Sequence, residues 1–381
     1  MKVTIYFGHH KVGSTALQSF LFRNQITLMR AGILYPGVES ESMSYMAARL
    51  LEHTPLPSGL RSRVTKASKG APPMNAREPH NALAFKMLAQ ANNGTPPPWH
   101  EGLPGVGQMV RAMQMQAHFL QPETVVLCSE VMANFGPRHP DMIDKVRDIF
   151  PEAEQSLYCV LRRPDEYLVA WHAQRMRFGD KVRAISDGAA DHYTKTIHFN
   201  YKSVIAPWVD RFPGAPLHIR NYADVLASGG SVEDFFGTTG LSLPQGLKTS
   251  LRANESLPRA AMEIARRANH DLPAQEAGEM RHYLLTSKKH ITPLPNREIE
   301  MFGGSLRAEL AEKFVPIHAY LSELTGQDAF FPDIDEMTKP LPIPESEAVA
   351  DFLSKIPLNS LPNDRLRDFI QGLAREYAAT A

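Results

Sequence analysis

The sequence predicts an α/β fold in which a parallel sheet is flanked by helices, with a long insertion near the N-terminus and an α-helical C-terminal part. Three observations predict it. Short, wholly apolar runs such as VTIYF, TVVLC and LYCVL alternate with segments of helical period, as in a sheet covered on both faces. The first run passes directly into GHHKVGST, Gly8 to Thr15, a glycine-bounded loop that opens a helix. After Ser231 the strand-like runs give way to helical spacing.

Taken in order, Val3 to Phe7 is the first strand, and Leu17, Phe20 and Leu21 mark the inner face of the helix after the loop. AGILYPG, Ala31 to Gly37, is a short strand closed by a Pro-Gly turn. From about 38 to 107 Pro, Gly, Ser, Met and Asn accumulate, which reads as a partly irregular insertion with a few helices, one around Ala82 to Gln90. GQMVRAMQMQAHFL is helical and leads into the strand TVVLCSE, Thr124 to Glu130. The helix DMIDKVRDIF precedes the strand SLYCVLRR, and a further helix runs from Pro164 to about Phe178. Tyr201 to Phe212 reads as helix and Pro216 to Arg220 as strand, so the sheet is expected within the first 220 residues. Two amphipathic helices close the chain, with Val349, Phe352, Leu353 and Ile356 on one and Leu366, Phe369, Ile370 and Leu373 on the other. The expected division is an α/β domain over 1–340 and a C-terminal helical extension over 341–381. The last two helices either complete the core or offer a homodimer contact.

Composition narrows the function. The 381 residues carry 41 basic and 41 acidic side chains, so no overall field draws the chain to nucleic acid or an anionic membrane. Any bound anion must be held by a local constellation. Cys128 and Cys159 both lie inside apolar runs and are expected as buried, reduced thiols. The opening apolar run is too short for a signal-peptide core, and no stretch reaches the ~18 apolar residues of a membrane span. A cytoplasmic location is expected.

The loop carries the chemistry. Two glycines five apart, followed by Ser14 and Thr15, suit a phosphate cradle, in which the amides of Val12 to Thr15 surround one phosphate and the two hydroxyls add donors. In ATP and GTP enzymes a lysine follows the second glycine and reaches along the β- and γ-phosphates. Here Ser14 occupies that place, and the lysine stands three residues earlier, at Lys11. A lysine there sits on the outer rim of the loop, beside a group leaving a single phosphate. The plainer alternative is a tight strand-to-helix turn that needs glycine for its backbone angles. Adjacent His9 and His10, with no third ligand at useful spacing, make a poor metal site.

HKVGSTALQ, His10 to Gln18, resembles the first motif of the PAPS-dependent sulfotransferases, in particular their bacterial branch, with Val12 where threonine is common. The resemblance implies a P-loop-type fold and a loop, His10 through Thr15, that holds the 5′-phosphate of 3′-phosphoadenosine 5′-phosphosulfate. It implies that Lys11 stabilises charge on the bridging oxygen as the sulfonyl group departs, with no metal required. CVLRRPDEYLVAWHAQ, Cys159 to Gln174, resembles the family's 3′-phosphate element. Its arginine maps to Arg162, and its serine position holds Ala170, so one hydroxyl contact is missing and Arg163, Trp171 or His172 stands near enough in sequence to compensate. CSE, Cys128 to Glu130, matches the position of an SSE-like motif and makes Glu130 the expected base, with helix capping or pairing with Arg162 as its alternative role. LRANESL, Leu251 to Leu257, resembles the segment before a late helix, from which Arg252 would reach the 3′-phosphate.

The implied activity is sulfonyl transfer to a hydroxyl or amine of an acceptor, carbohydrate among the candidate classes, leaving 3′,5′-ADP as product. His80 in EPHNALAF matches a histidine of the bacterial branch that would line the acceptor pocket, against the alternative of an exposed loop histidine. The basic stretch Leu60 to Gly70 would greet an anionic acceptor or simply be solvated. Two other classes stay open. One is a P-loop kinase or NTPase, which would need its loop lysine elsewhere and a glutamate version of the Mg²⁺-holding strand in TVVLCSE. The other is a non-catalytic nucleotide-binding module derived from a sulfotransferase, suggested by Ala170 and the C-terminal helices.

Overall fold

The computed structural model describes residues 1–51, 72–248, 256–287 and 290–380. The chain forms two compact units, Met1–Arg162 with Tyr201–Arg252, and Arg163–Asn200 with Ala253–Ala381. The longer helices, in chain order, are α1 (Ser14–Arg23), α2 (Ser40–Leu51), α3 (Pro79–Ala91), α4 (Val106–Leu120), α5 (Pro164–Arg177), α6 (Tyr201–Arg211), α7 (Ser231–Thr239), α8 (Met262–Asp271), α9 (Ala274–Thr286), α10 (Gly304–Thr325), α11 (Glu345–Ser354) and α12 (Asp364–Thr380).

The first unit contains the sheet. Strands β1 (Lys2–Tyr6), β2 (Ile33–Leu34), β3 (Thr124–Cys128), β4 (Glu154–Leu161) and β5 (Leu217–Asn221) lie parallel in the order β2-β3-β1-β4-β5. The fold is therefore α/β with a parallel sheet flanked by helices, as the alternating pattern predicts. Both cysteines are free and buried in β3 and β4. Strand order reverses at β1, whose last residue, Tyr6, stands opposite Cys128 on one side and Tyr158 on the other. In open parallel sheets such a reversal leaves a crevice at the carboxyl ends of the strands.

Pairing continues past the end of β1. The Phe7 amide donates to Tyr158 O at 3.1 Å, and the His9 amide to Val160 O at 3.3 Å. A Cβ at Gly8 would stand 2.7 Å from Val160 N, so this close approach of loop to strand requires glycine. The chain then turns through Lys11 and Gly13, both left-handed with φ of 61° and 90°. Gly13 caps α1, and a Cβ there would lie 1.8 Å from Ser231 Oγ at the start of α7. Below the loop, α1 buries Leu17, Phe20 and Leu21, and Phe20 meets Phe236 of α7 edge-on at 5.8 Å. Burying each such side chain stabilises by about 1.5–3 kcal/mol.

The described part of the insertion is largely helical. α3 docks at the end of β3, where His80 Nδ1 accepts a hydrogen bond from the Cys128 amide at 3.1 Å and the ring packs edge-on against Tyr35 at 4.8 Å. His80 is 0% exposed, so it is neither an exposed loop histidine nor a surface residue of an acceptor pocket. Proline at the first turn and the run NALAF explain why this segment is helix despite the irregular composition around it.

The second unit is mostly helical. The expectation of no strands beyond residue 220 needs one amendment, a parallel pair of two-residue strands, β6 (Ile299–Glu300) and β7 (Ile343–Pro344). Arg307 of α10, 2% exposed, organises this region by pairing with Glu300 at 2.7 Å and donating to Met337 O at 3.2 Å. Val349, Phe352, Leu353, Leu366, Ile370 and Leu373 are all buried within the single chain. The apolar faces of α11 and α12 thus complete the chain's own core, and the homodimer alternative finds no support in them. Among the described residues, no helix is long and apolar enough to cross a membrane.

Two predictions follow from these contacts. Gly13→Ala should lower the unfolding free energy by about 1–3 kcal/mol, because the left-handed angle and the Ser231 clash act together. Ser231→Gly in the same background should recover part of the loss in urea titrations, and no recovery would place the whole effect in the backbone angle. Burial pushes His80 down from 6.5 to about 3. A histidine so depressed contributes stability that is full above pH 6.5 and is lost as the pH falls toward its folded value. His80→Gln, which keeps an acceptor for the Cys128 amide, should flatten the acid dependence of stability by up to about 1.4 kcal/mol per pH unit. An unchanged slope would mean that His80 protonates freely in the folded protein.

Candidate functional site

The candidate site is the crevice at the carboxyl end of β1. The α1 N-terminus has no side-chain cap, and the Ala16 and Leu17 amides turn back to Gly13 O at 3.0 and 3.2 Å. The amides of Ser14 and Thr15, in the first turn, have no helical carbonyl behind them to donate to, and the helix dipole adds positive potential where they point. Val12 and Ser14 are buried, Lys11 and His10 are half-buried, and Thr15 is exposed. Beneath the loop the Tyr6 hydroxyl is buried with no hydrogen-bond partner, and the ring carbon that bears it would stand 3.3 Å from a Cβ at Gly8. This is an unused donor beside the glycine that begins the loop. Burial and the charge of Lys11 push His10 down to about 4, so its ring is neutral at pH 7 and its 3.9 Å approach to Glu130 is not an ion pair there. His9 packs edge-on against Tyr201 at 4.4 Å. Among the described residues, no group of three or more His, Cys, Asp or Glu could hold a metal ion.

Glu130 stands two residues beyond β3, where the Ser129 amide still donates to Tyr6 O at 3.0 Å. Its carboxylate accepts from Gln18 Nε2 at 3.0 Å and from Asn81 Nδ2 at 3.2 Å, and the Ser14 hydroxyl adds to the pull that lowers its pKa. Burial raises its pKa against the pull of these bonds. Glu78 is also pushed up, by burial and by the charge of Glu130. Sequence reasoning placed Glu130 at this rim but missed Glu78 and Asn81, and gave Gln18 no role. The available signal was the pair of polar residues three apart in EPHNALAF, on a helix that is otherwise apolar.

Arg162 follows β4 and belongs to the same unit. Its guanidinium lies over the Tyr222 ring at 5.3 Å from the centroid, and its carbonyl accepts from Tyr201 Oη at 2.7 Å. Glu130 is thus partnered by amides and a hydroxyl, while the arginine weighed as its partner stacks on an aromatic ring. Nearby, Asp234 of α7 accepts from Tyr158 Oη at 2.7 Å and pairs with Arg220 at 2.8 Å. Despite burial, the Arg220 guanidinium holds that carboxyl below its usual range.

Ala170 sits half-buried on α5 in the second unit. The side chains weighed as substitutes for its missing hydroxyl are engaged within that unit. Arg163 pairs with Asp165 at 2.7 Å and with Asp333 at 2.5 Å, His172 Nδ1 lies 2.8 Å from Tyr193 Oη, and Trp171 stacks on His198 with centroids 3.9 Å apart. Arg252 and the basic stretch Leu60 to Gly70 lie outside the described residues.

A cavity of about 560 Å³ opens in the first unit at the opposite, amino-terminal edge of the sheet, lined by Lys2, Thr124, Arg147 and Arg211 among others. Both arginines are already paired with Asp144, at 2.9 and 3.2 Å, and the chemistry described above lies at the other rim. What the carboxyl rim offers is an anion cradle, a lysine in the same loop, and a buried carboxylate with a raised pKa joined to the helix after the cradle through Gln18.

No protein-family model matches the chain. It is 25% identical over 164 residues to an uncharacterized protein of Archaeoglobus fulgidus, a match spanning 42% of this chain and 43% of that protein, less than half the relative's length. Among solved structures it aligns with the crystal structure of a sulfotransferase from Alicyclobacillus acidocaldarius, at a TM-score of 0.40 and 12% identity, over 85% of this chain and 96% of that one. Similarity at this level leaves the functional reading to the residues of the loop and of the carboxylate cluster.

Proposed function

We propose that the protein transfers a sulfonyl group from 3′-phosphoadenosine 5′-phosphosulfate to a hydroxyl of an acceptor, with carbohydrate the first acceptor class to test. The observation that carries the reading is the hydrogen bond from Gln18 of α1 to Glu130, with His10 of the loop 3.9 Å from the same carboxylate. These contacts bring the anion cradle and a buried proton acceptor into one cluster, and Ser14 occupies the position where a nucleoside triphosphatase would place its lysine. The orphan Tyr6 hydroxyl supports a bound anion, since burying a donor without a partner costs about 1–3 kcal/mol that a ligand oxygen would offset.

In this reading the amides of Val12 to Thr15 and the Tyr6 hydroxyl hold the 5′-phosphate, and Arg162 the 3′-phosphate. Glu130 takes the proton from the acceptor hydroxyl as its oxygen bonds to sulfur. The bond from sulfur to the bridging oxygen breaks, and the Lys11 ammonium stabilises the charge left on that oxygen. The donor supplies the sulfonyl group, and 3′,5′-ADP leaves. In this reading the early place of Lys11, before the second glycine, sets it beside the bridging oxygen, and its left-handed backbone, φ 61°, belongs to the turn that makes the cradle.

Thermal-shift measurements test the donor. In metal-free buffer 3′,5′-ADP should raise the melting temperature and ATP should do so less, because only the former carries the group assigned to Arg162. Equal stabilisation by adenosine 5′-monophosphate would remove that assignment. Tyr6→Phe should weaken 3′,5′-ADP binding while leaving the unliganded protein no less stable. Kinetics test the lysine. With any acceptor found by a sulfonyl-transfer screen, Lys11→Ala should cut kcat by a hundredfold or more, on the order expected for one preorganised electrostatic contact, and should change 3′,5′-ADP affinity far less. A variant that only weakens binding would make Lys11 a passive phosphate clamp. Binding of 3′,5′-ADP with no transfer to any hydroxyl panel would favour a non-catalytic module instead.

A further inference from the structure

We infer that Asn81 is a positioning residue that keeps two neighbouring carboxylates, the buried Glu130 and the half-buried Glu78, ionised side by side, so that Glu130 stays ready to accept a proton. The inference rests on the base role proposed for Glu130 and adds the group that makes that role sustainable.

Asn81 is 2% exposed on α3, and its amide is fully used. Nδ2 donates to Glu130 Oε1 at 3.2 Å and to Glu78 Oε2 at 3.1 Å. Oδ1 accepts from Ser129 Oγ at 2.7 Å and from Gln18 Nε2 at 3.2 Å. A primary amide has two donor hydrogens and two acceptor lone pairs, and all four are engaged here. The orientation is dictated by chemistry, since an ionised carboxylate only accepts. The reversed amide would set its oxygen against both acids and its nitrogen against a donor.

Among the described residues, Glu130 accepts from the Gln18 and Asn81 amides and has a neutral His10 at 3.9 Å, with no guanidinium or ammonium bonded to it. The other titratable groups around the pair are Tyr6 on β1, Tyr35, and Cys128 on β3, each pushed up by burial and by these acids and hence uncharged, and Arg77 beside Glu78. Two like charges this close would ordinarily share one proton. Asn81 opposes that by giving each anion a hydrogen while standing between them. Without it, the pair would hold a proton to higher pH, and Glu130 would be disabled as a base for part of the time.

Carboxyl ¹³C NMR of the full chain labelled at the glutamate side-chain carboxyl tests the inference, with Glu130 assigned from Glu130→Gln. Asn81→Ala should raise the Glu130 midpoint by about one to two pH units, the size of one lost hydrogen bond to a charged group. Asn81→Asp should raise it further, and Glu78→Gln added to Asn81→Ala should bring it back, which a merely structural role would not do. An unmoved midpoint in folded Asn81→Ala overturns the inference. If that variant does not fold, Glu78→Gln alone must lower the Glu130 midpoint, and failure to do so overturns it equally. The titration uses neither donor nor acceptor. Shifted midpoints in a protein that transfers no sulfonyl group would therefore keep the Asn81 coupling and discard the base role. Fixed midpoints in an active protein would do the reverse.

Discussion

β1 is hydrogen-bonded on both edges, and the candidate site depends on how that strand ends. Between β3 and β4 the backbone cannot leave sideways, so it continues to pair through Phe7 and His9 until it clears the sheet at the carboxyl rim. Only then does it turn, through two left-handed residues, into α1. A non-glycine residue such as Lys11 in that conformation costs on the order of 1 kcal/mol, and the paired strand on one side and the buried helix face on the other over-determine it. The lysine is thus set by the same constraint that makes the amide cradle.

Two buried carboxylates of the first unit are held in opposite ways. Asp234 is matched by the Arg220 guanidinium and the Tyr158 hydroxyl and held below its usual range, as befits an acid that ties α7 to the sheet. Glu130 accepts from the neutral amides of Gln18 and Asn81 and is pushed up by burial. Hydrogen bonds from amides stabilise a carboxylate without cancelling its charge, so its protonation responds to whatever enters the crevice. Cation pairing would have held the Glu130 carboxyl below its usual range, as Arg220 holds that of Asp234.

The second unit follows the first of these patterns. Arg307, Arg163 and Arg175 are matched to Glu300, Asp165 and Asp180 respectively, and its last two helices cover their own apolar faces. Charges neutralised at contact distance stabilise or orient elements, and they leave little free charge for a ligand. In the first unit, the Arg162 guanidinium lies over the Tyr222 ring, 5.3 Å from its centroid, a contact that orients it.

Periodicity made the α/β class, the strands, the buried cysteines and the helix after the loop readable from contiguous residues, because apolar spacing and glycine placement are local properties of a chain. The rim position of Glu130 was readable too, since it follows from the end of a strand. The partners of Glu130 were not. Gln18 lies 112 residues away and Asn81 lies 49 away, and only the docking of α1 and α3 against the end of β3 brings their amides to one carboxylate. The same docking turned His80 from a loop histidine into a core one. A pattern within a segment shows which face will be buried, but which polar groups meet on that face is decided by the packing of segments that carry no record of each other.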